Sequence, residues 1–175
     1  MGEEGAWGVD TSTKTLFLRE VQEDDLSMLM EHRNQWETRR WLENAREVTM
    51  EGQRIWFGMS SRSVRIVMEG ETPIGLARIA CEGPGHYSVG CDVFAEHRGR
   101  GLGRPTFDAA CNRAIQLGAT TLSLWVFVDN LPAVTIYKHA GFDWDHSAAI
   151  KIFRRPEKEF GPVKDWIYAR MTRTA

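Results

Sequence analysis

The chain has 175 residues, of which 42% are hydrophobic and 26% charged, and its 22 Lys and Arg against 24 Asp and Glu give a net charge of -2. That balance belongs to a soluble globular chain long enough to bury its own core, and it excludes disordered, collagen-like and coiled-coil classes. No basic excess marks a nucleic-acid binder, and no apolar run approaches the roughly 18 residues of a membrane span.

The N-terminal stretch MGEEGAWGVDTSTK has neither the basic start nor the apolar core of a signal peptide, so a cytoplasmic location is expected. Residues 1–13 read as a flexible tail and 14–175 as a single domain. Leu16 to Arg19 reads as a first strand. Glu23 to about Asn34 carries Leu26, Leu29 and Met30 at helical spacing, with Asp24 and Asp25 suiting the positive helix end. HRNQWETRRWLEN follows, dense in Arg and Trp, and Thr49 then stands as the N-cap of a second helix carrying Trp56 and Phe57. Val64–Met68 and Ile74–Ala80 flank a turn signal and read as an antiparallel hairpin. Tyr87 to Phe94 is the next strand.

A helix follows with Phe107, Ala110, Cys111, Ala114 and Ile115 on one face, Pro105 in its first turn and Gly118 at its end. Thr121 to Val128 reads as a buried strand, and Asn130 opens a helix that Gly141 ends. Ile150–Phe153 and Asp165–Met171 read as closing strands around the charged loop RRPEKEFGP. This order is a mixed α/β sheet, not a doubly wound parallel one. The three Cys form no CxxC pair and the five His show no ligand spacing, so free buried thiols and no metal are expected. Seven Trp is a high count, and some are expected to line a pocket.

The most specific local feature is Arg98-Gly99-Arg100-Gly101-Leu102-Gly103, set between a strand and a helix. Glycines let successive N–H groups turn to one side, the helix start adds positive potential, and Arg98, Arg100 and Arg104 add charge. Together they make a pyrophosphate cradle. Neither a Walker loop nor a GxGxxG dinucleotide loop has this spacing.

Arg98-x-x-Gly101-x-Gly103 resembles the acetyl-CoA pyrophosphate loop of the GNAT superfamily of N-acetyltransferases. Asn130-x-x-Ala133-x-x-Ile136-Tyr137-Lys138-x-x-Gly141-Phe142 resembles that family's second signature, one strand later and in the same order. The resemblance implies a mostly antiparallel twisted sheet, splayed at the acetyl-CoA site and flanked by helices. It implies an acyltransferase that moves acetyl from acetyl-CoA directly to an amine.

Carried over position by position, it has the pantetheine arm bonding along the backbone of Cys91, Asp92, Val93 and Phe94, on a strand parted from its neighbour by a bulge. Backbone N–H groups from Arg98 through Gly99, Arg100, Gly101 and Leu102 to Gly103 take the pyrophosphate, with Arg104 helping. Asn130 holds the cofactor arm by its amide while also serving as a helix N-cap, Asp129 being the competing cap. Tyr137 falls where the family keeps a general acid for the departing thiolate. Phe142 reads as core. The general base is where the chain departs. Relatives carry a glutamate at the position of Ser88 or of Trp125, and neither residue here takes a proton. A water chain ending at Ser88, or Asp92, Glu82 or His86, stays open.

The first two helices and their loop line the acceptor side in this architecture, which puts Arg33, Asn34, Arg40 and Trp41 toward the substrate, with Trp36, Arg39 and Trp56 beside them; Ser88 faces it from the strand before the glycine loop. This segment resembles ribosomal-protein N-terminal acetyltransferases and sugar-nucleotide amine acetyltransferases. Arg beside aromatic rings suits an anionic, stackable group. The expected acceptor is a primary amine of a small molecule, such as a nucleotide-linked amino sugar. A peptide N-terminus and a non-catalytic CoA sensor are the alternatives. A homodimer is a candidate assembly.

Overall fold

The computed structural model describes residues 16–162 and 165–175; the expected tail, 1–13, lies outside them. The chain runs β1 (Leu16–Glu20), α1 (Leu26–Asn34), α2 (Trp36–Arg39), α3 (Met50–Ser60), β2 (Val64–Glu69), β3 (Thr72–Gly83) and β4 (His86–Val93). It continues with α4 (Gly103–Gln116), β5 (Thr121–Phe127), α5 (Leu131–His139), β6 (Asp143–Trp144), β7 (Lys151–Arg154), α6 (Glu157–Phe160) and β8 (Asp165–Thr174). A short 3₁₀ turn, Glu23–Asp25, precedes α1.

Local chemistry sets the helix ends. The Thr49 hydroxyl accepts from the Gly52 N–H at 3.2 Å and caps α3. Pro132 sits in the first turn of α5, where its missing N–H costs nothing. One sheet of eight strands runs β1-β2-β3-β4-β5-β8-β6, with β7 also on β8. Among the described pairs only β4 and β5 are parallel, joined through α4.

The sheet buries a core on each face. Ile74, Ala77, Ile79, Val89, Leu122, Leu124, Val126 and Met171 pack under α4 and α5 with Phe107, Ala110, Cys111, Ala114 and Phe142. Ile66, Met68 and Phe94 pack with Leu29 of α1, and Trp56 and Phe57 of α3 lean on them.

Three expectations change. Ile115 is 41% exposed, because it sits at the margin of the apolar stripe that Phe107, Ala110, Cys111 and Ala114 define. Cys81 is exposed rather than buried, near the outer end of the long hairpin. Trp56 packs on the second core instead of standing free toward a substrate. The elements α2, α6 and β6 fall inside segments that read as loops, each too short to carry a period.

Candidate active site

The parallel pairing of β4 with β5 covers only His86↔Thr121, Tyr87↔Leu122 and Ser88↔Ser123. Past that point β4 stays paired to β3 as far as Val93↔Gly75, while β5 stays paired to β8 as far as Phe127↔Tyr168. The two strands therefore part at Ser88 and Ser123, leaving Val89 to Val93 without a β5 partner. The register shifts of this half of the sheet fall at Val67/Met68 on β2 and Cys81/Gly83 on β3, not on β4, so the expected bulge on the splayed strand is absent from its described pairing.

Within the open edge the four expected residues differ. The Val93 carbonyl accepts from Arg98 Nε at 2.9 Å. The Phe94 N–H donates to the Ile74 carbonyl and its own carbonyl accepts from His97, both at 2.9 Å. The Phe94 ring is 1% exposed, so Phe94 is anchored inward and Cys91 to Val93 make up the end of the edge.

The glycine loop follows directly. Gly99 and Gly101 have φ of 74° and 73°, left-handed backbone that side chains strongly disfavour. Nothing lies within 4 Å of where a Cβ would stand on either. Among the described residues no N–H from Gly99 to Leu102 donates to a backbone carbonyl. These N–H groups, together with the start of the 14-residue helix α4, are donors of the kind that an anion cradle uses.

The three arginines have other partners within the chain. Arg98 reaches Val93, the Thr38 hydroxyl at 2.8 Å and Asp92 at 3.5 Å. Arg100 binds Glu69 at 2.8 Å and His97 Nδ1 at 3.0 Å. Arg104 grips both Asp108 oxygens at 2.8 Å. The cradle is thus built chiefly from backbone.

Tyr137 lies under the open strand. It is 9% exposed, its ring centre 4.7 Å from that of Phe107. Burial, then the nearby Cys91 and Asp92, push its phenol far above the usual tyrosine range, so its proton stays in place at neutral pH. The Cys91 thiol points to the Gly103 carbonyl at 3.8 Å, and burial holds it protonated as well. A Cβ on Gly103 would meet Ile136 Cδ1 at 2.8 Å, which is how closely the glycine loop packs on α5. Asn130 stands at the N-cap of α5, yet its side chain makes no cap hydrogen bond.

Alternation on β4 turns His86, Ser88, Gly90 and Asp92 to the face opposite α4. Asp92 meets His32 Nε2 at 2.8 Å, a contact that no local signal in the sequence announces. At the other end His86 Nε2 lies 3.0 Å from the Ser123 hydroxyl and 2.8 Å from an Arg170 guanidinium nitrogen. A guanidinium only donates, so this nitrogen accepts. Glu82 stands 3.9 Å from His86. Two of the open base positions, Asp92 and His86, thus bracket Ser88 on one face.

On the acceptor side, Asn34 is fully used. Its amide donates to the Val48 carbonyl and accepts the Val48 N–H, each at 2.8 Å. Arg33 donates to the Asn44 carbonyl, and burial lowers its pKa. Both residues hold the loop after α2, while the buried second terminal nitrogen of Arg33 has no partner among the described residues. Arg40 lies over two indoles, 5.6 Å from the centre of Trp36 and 4.9 Å from that of Trp41, with a buried Nε that has no partner among the described residues. Trp41 is edge-on to Trp166 at 5.7 Å. Arg155, unremarked in the sequence, sits among Phe127, Phe160 and Trp166 at 4.7, 4.8 and 5.2 Å. Among the described residues no helix is long and apolar enough to cross a membrane.

Comparison with known proteins agrees with this layout. A model of the acetyltransferase (GNAT) family matches residues 26–142. A mycothiol acetyltransferase of Corynebacterium aurimucosum is 45% identical over 56 residues, which are 32% of this chain and only 18% of that protein. A spermidine N-acetyltransferase from Vibrio cholerae, in complex with CoA and spermine, superposes with a TM-score of 0.75 at 19% identity, over 93% of this chain and 96% of the other. A ribosomal-protein-alanine N-acetyltransferase from Brucella melitensis gives 0.70 at 17% identity, over 91% and 99%. At these identities the likeness of the solved structures is one of fold.

Proposed function

The chain belongs to the acetyltransferase (GNAT) family, and from that premise we propose that it is an N-acetyltransferase that moves the acetyl group of acetyl-CoA directly to a primary amine of a small molecule. The observation that carries the reading is the parting of β4 from β5 after Ser88 and Ser123, beside a glycine loop whose N–H groups from Gly99 to Leu102 donate to no backbone carbonyl among the described residues. An extended pantetheine arm fits the open backbone edge of Cys91 to Val93, and pyrophosphate fits the Gly99 to Gly103 cradle. Bound there, acetyl-CoA supplies a thioester: a C–N bond to the amine forms, the C–S bond breaks, and CoA leaves as a thiol.

Tyr137, buried against Phe107 beside Cys91 of the open strand, contributes the proton for the departing sulfur in this reading. The amine gives up its proton on the Ser88 face, where Asp92 and His86 stand. Asn130, whose amide is not spent on capping, steadies the cofactor arm.

The finer reading of the acceptor is a nucleotide-linked amino sugar. Arg40, stacked on two indoles with a buried Nε that has no partner among the described residues, supports an anionic and planar group there. The test follows thiol release from acetyl-CoA with sugar-nucleotide amines and N-terminal peptides offered in parallel. Release with the sugar nucleotides supports the reading. Release with peptides alone transfers it to N-terminal acetylation, and the absence of release with every amine leaves a CoA-binding sensor.

A further inference from the structure

One cation of the chain already occupies the acceptor face. Trp125 is the first residue of β5 past the last β4 pair that points to the same side as Ser123, so its indole borders the gap between the parted strands. Tyr168 of β8 stacks on it, with ring centres 5.6 Å apart and planes 23° from parallel. The Lys151 ammonium lies 4.8 Å from the Trp125 ring centre and 5.8 Å from that of Tyr168. Glu43, from the loop between α2 and α3, closes on that ammonium at 3.1 Å.

Cross-strand packing alone does not account for this placement. Lys151 pairs in register with Tyr168, its direct neighbour, yet the ammonium is nearer to Trp125, one strand further on and toward the gap. Its counter-charge comes from a loop that folds over the face, not from the sheet. Lys151 and Glu43 are 45% and 50% exposed, so a second cation can exchange with the first. An indole where relatives place a carboxylate cannot take a proton, but its ring face attracts an ammonium.

We infer that Trp125, Tyr168 and Glu43 form a subsite for the alkylammonium end of the amine acceptor, and that Lys151 stands in it as a placeholder. An amine in neutral water arrives as its ammonium. The two ring faces and the carboxylate hold that form at the mouth of the gap, and deprotonation on the Ser88 face follows. The inference rests on the acetyltransferase reading and deepens it by naming what the acceptor site recognises.

The experiment uses the full chain, labelled with nitrogen-15, and titrates n-butylammonium chloride while following the Trp125 indole N–H signal, assigned by its loss in Trp125→Phe. The neutral isostere n-butanol is the control. The expected result is saturable binding of n-butylammonium, tightened about tenfold in Lys151→Met and unchanged in Lys151→Arg, with n-butanol inert. Glu43→Gln, on the exposed loop, weakens n-butylammonium severalfold in the Lys151→Met background, and an intact CoA melting shift in Lys151→Met shows that this variant is folded. Equal affinity in wild type and Lys151→Met overturns the inference, and so does n-butanol matching n-butylammonium. The melting shift produced by CoA is measured on the same samples. An intact CoA shift without ammonium preference strikes the subsite alone, whereas loss of the CoA shift in wild type strikes the acetyltransferase reading itself.

Discussion

His32 on α1 and Asp92 on β4, 60 residues apart, meet with Nε2 2.8 Å from Oδ2. The imidazole is 5% exposed and rests edge-on against Phe94, ring centres 4.8 Å apart. The second Asp92 oxygen faces Arg98, which in turn holds Thr38 of α2 and the Val93 carbonyl. Through these few contacts the two acceptor-side helices are fastened to the end of the strand that borders the glycine loop.

The contact sets a first prediction. His32→Ala removes a buried ring and leaves Asp92 without its nearest donor. Together these cost about 2–4 kcal/mol of unfolding free energy, or a melting temperature lower by about 5–12 °C. Urea unfolding checks it. A midpoint within error of wild type would mean that the pair is incidental to the fold.

The glycine loop sets a second. CoA raises the melting temperature of the wild type, because a ligand bound only by the folded state stabilises it. Gly101→Glu and Gly99→Glu lose that shift, since a carboxylate on left-handed backbone then stands in the anion cradle. An undiminished CoA shift in both variants would place pyrophosphate elsewhere.

Tyr137→Phe is the third. The ring stays packed on Phe107 and only the hydroxyl goes. Turnover drops about 10²–10⁴-fold under conditions where chemistry limits the rate, while the acetyl-CoA KM moves little. Pre-steady-state thiol release at the wild-type rate refutes the acid role.

A fourth concerns pH. Arg19 grips both oxygens of Asp25 at 2.7 Å, and the Gln22 N–H donates to it at the same distance. The Arg19 hydrogen bond, above all, holds the Asp25 carboxyl below its ordinary value of 3.8, against the opposing effect of burial. A depressed folded-state pKa stabilises above the unfolded value, so the contribution is fully present above about pH 5 and fades as pH falls through and below 4. With Arg19 partly exposed it amounts to about 1 kcal/mol. Asp25→Asn therefore lowers stability at pH 7, and its deficit relative to wild type shrinks toward pH 3. Parallel urea curves at the two pH values decide; a deficit that does not change with pH contradicts the assignment.

Arg40→Ala is the fifth. If an anionic acceptor rests on the Trp36 and Trp41 stack, its KM rises about tenfold while that of acetyl-CoA holds steady. Equal KM values for the acceptor in both proteins remove Arg40 from substrate recognition.

Much of the site is legible in the chain because its parts are local. Gly99 and Gly101 take left-handed backbone, and α4 begins at Gly103, all within six residues. Tyr137 follows Asn130 by two turns of one helix, so one signature carries both. What the residue list does not show is the set of partners each charge has within the chain. Arg98, Arg100 and Arg104 add charge beside the glycine loop, and each guanidinium also reaches a carboxylate or carbonyl of the chain, because a long side chain takes the partner that the fold brings within its reach.

By itself the sequence determined the order of the longer elements, the glycine loop and the helix behind it, since backbone preference and apolar period act over a few residues. Only the tertiary structure decided where β4 leaves β5, that Asn34 and Arg33 serve a loop, and that Lys151 lies on Trp125 while His32 lies on Asp92. Those outcomes hang on strand register and on helices packing across a sheet. They join residues far apart in the chain, where neither spacing nor composition leaves a trace.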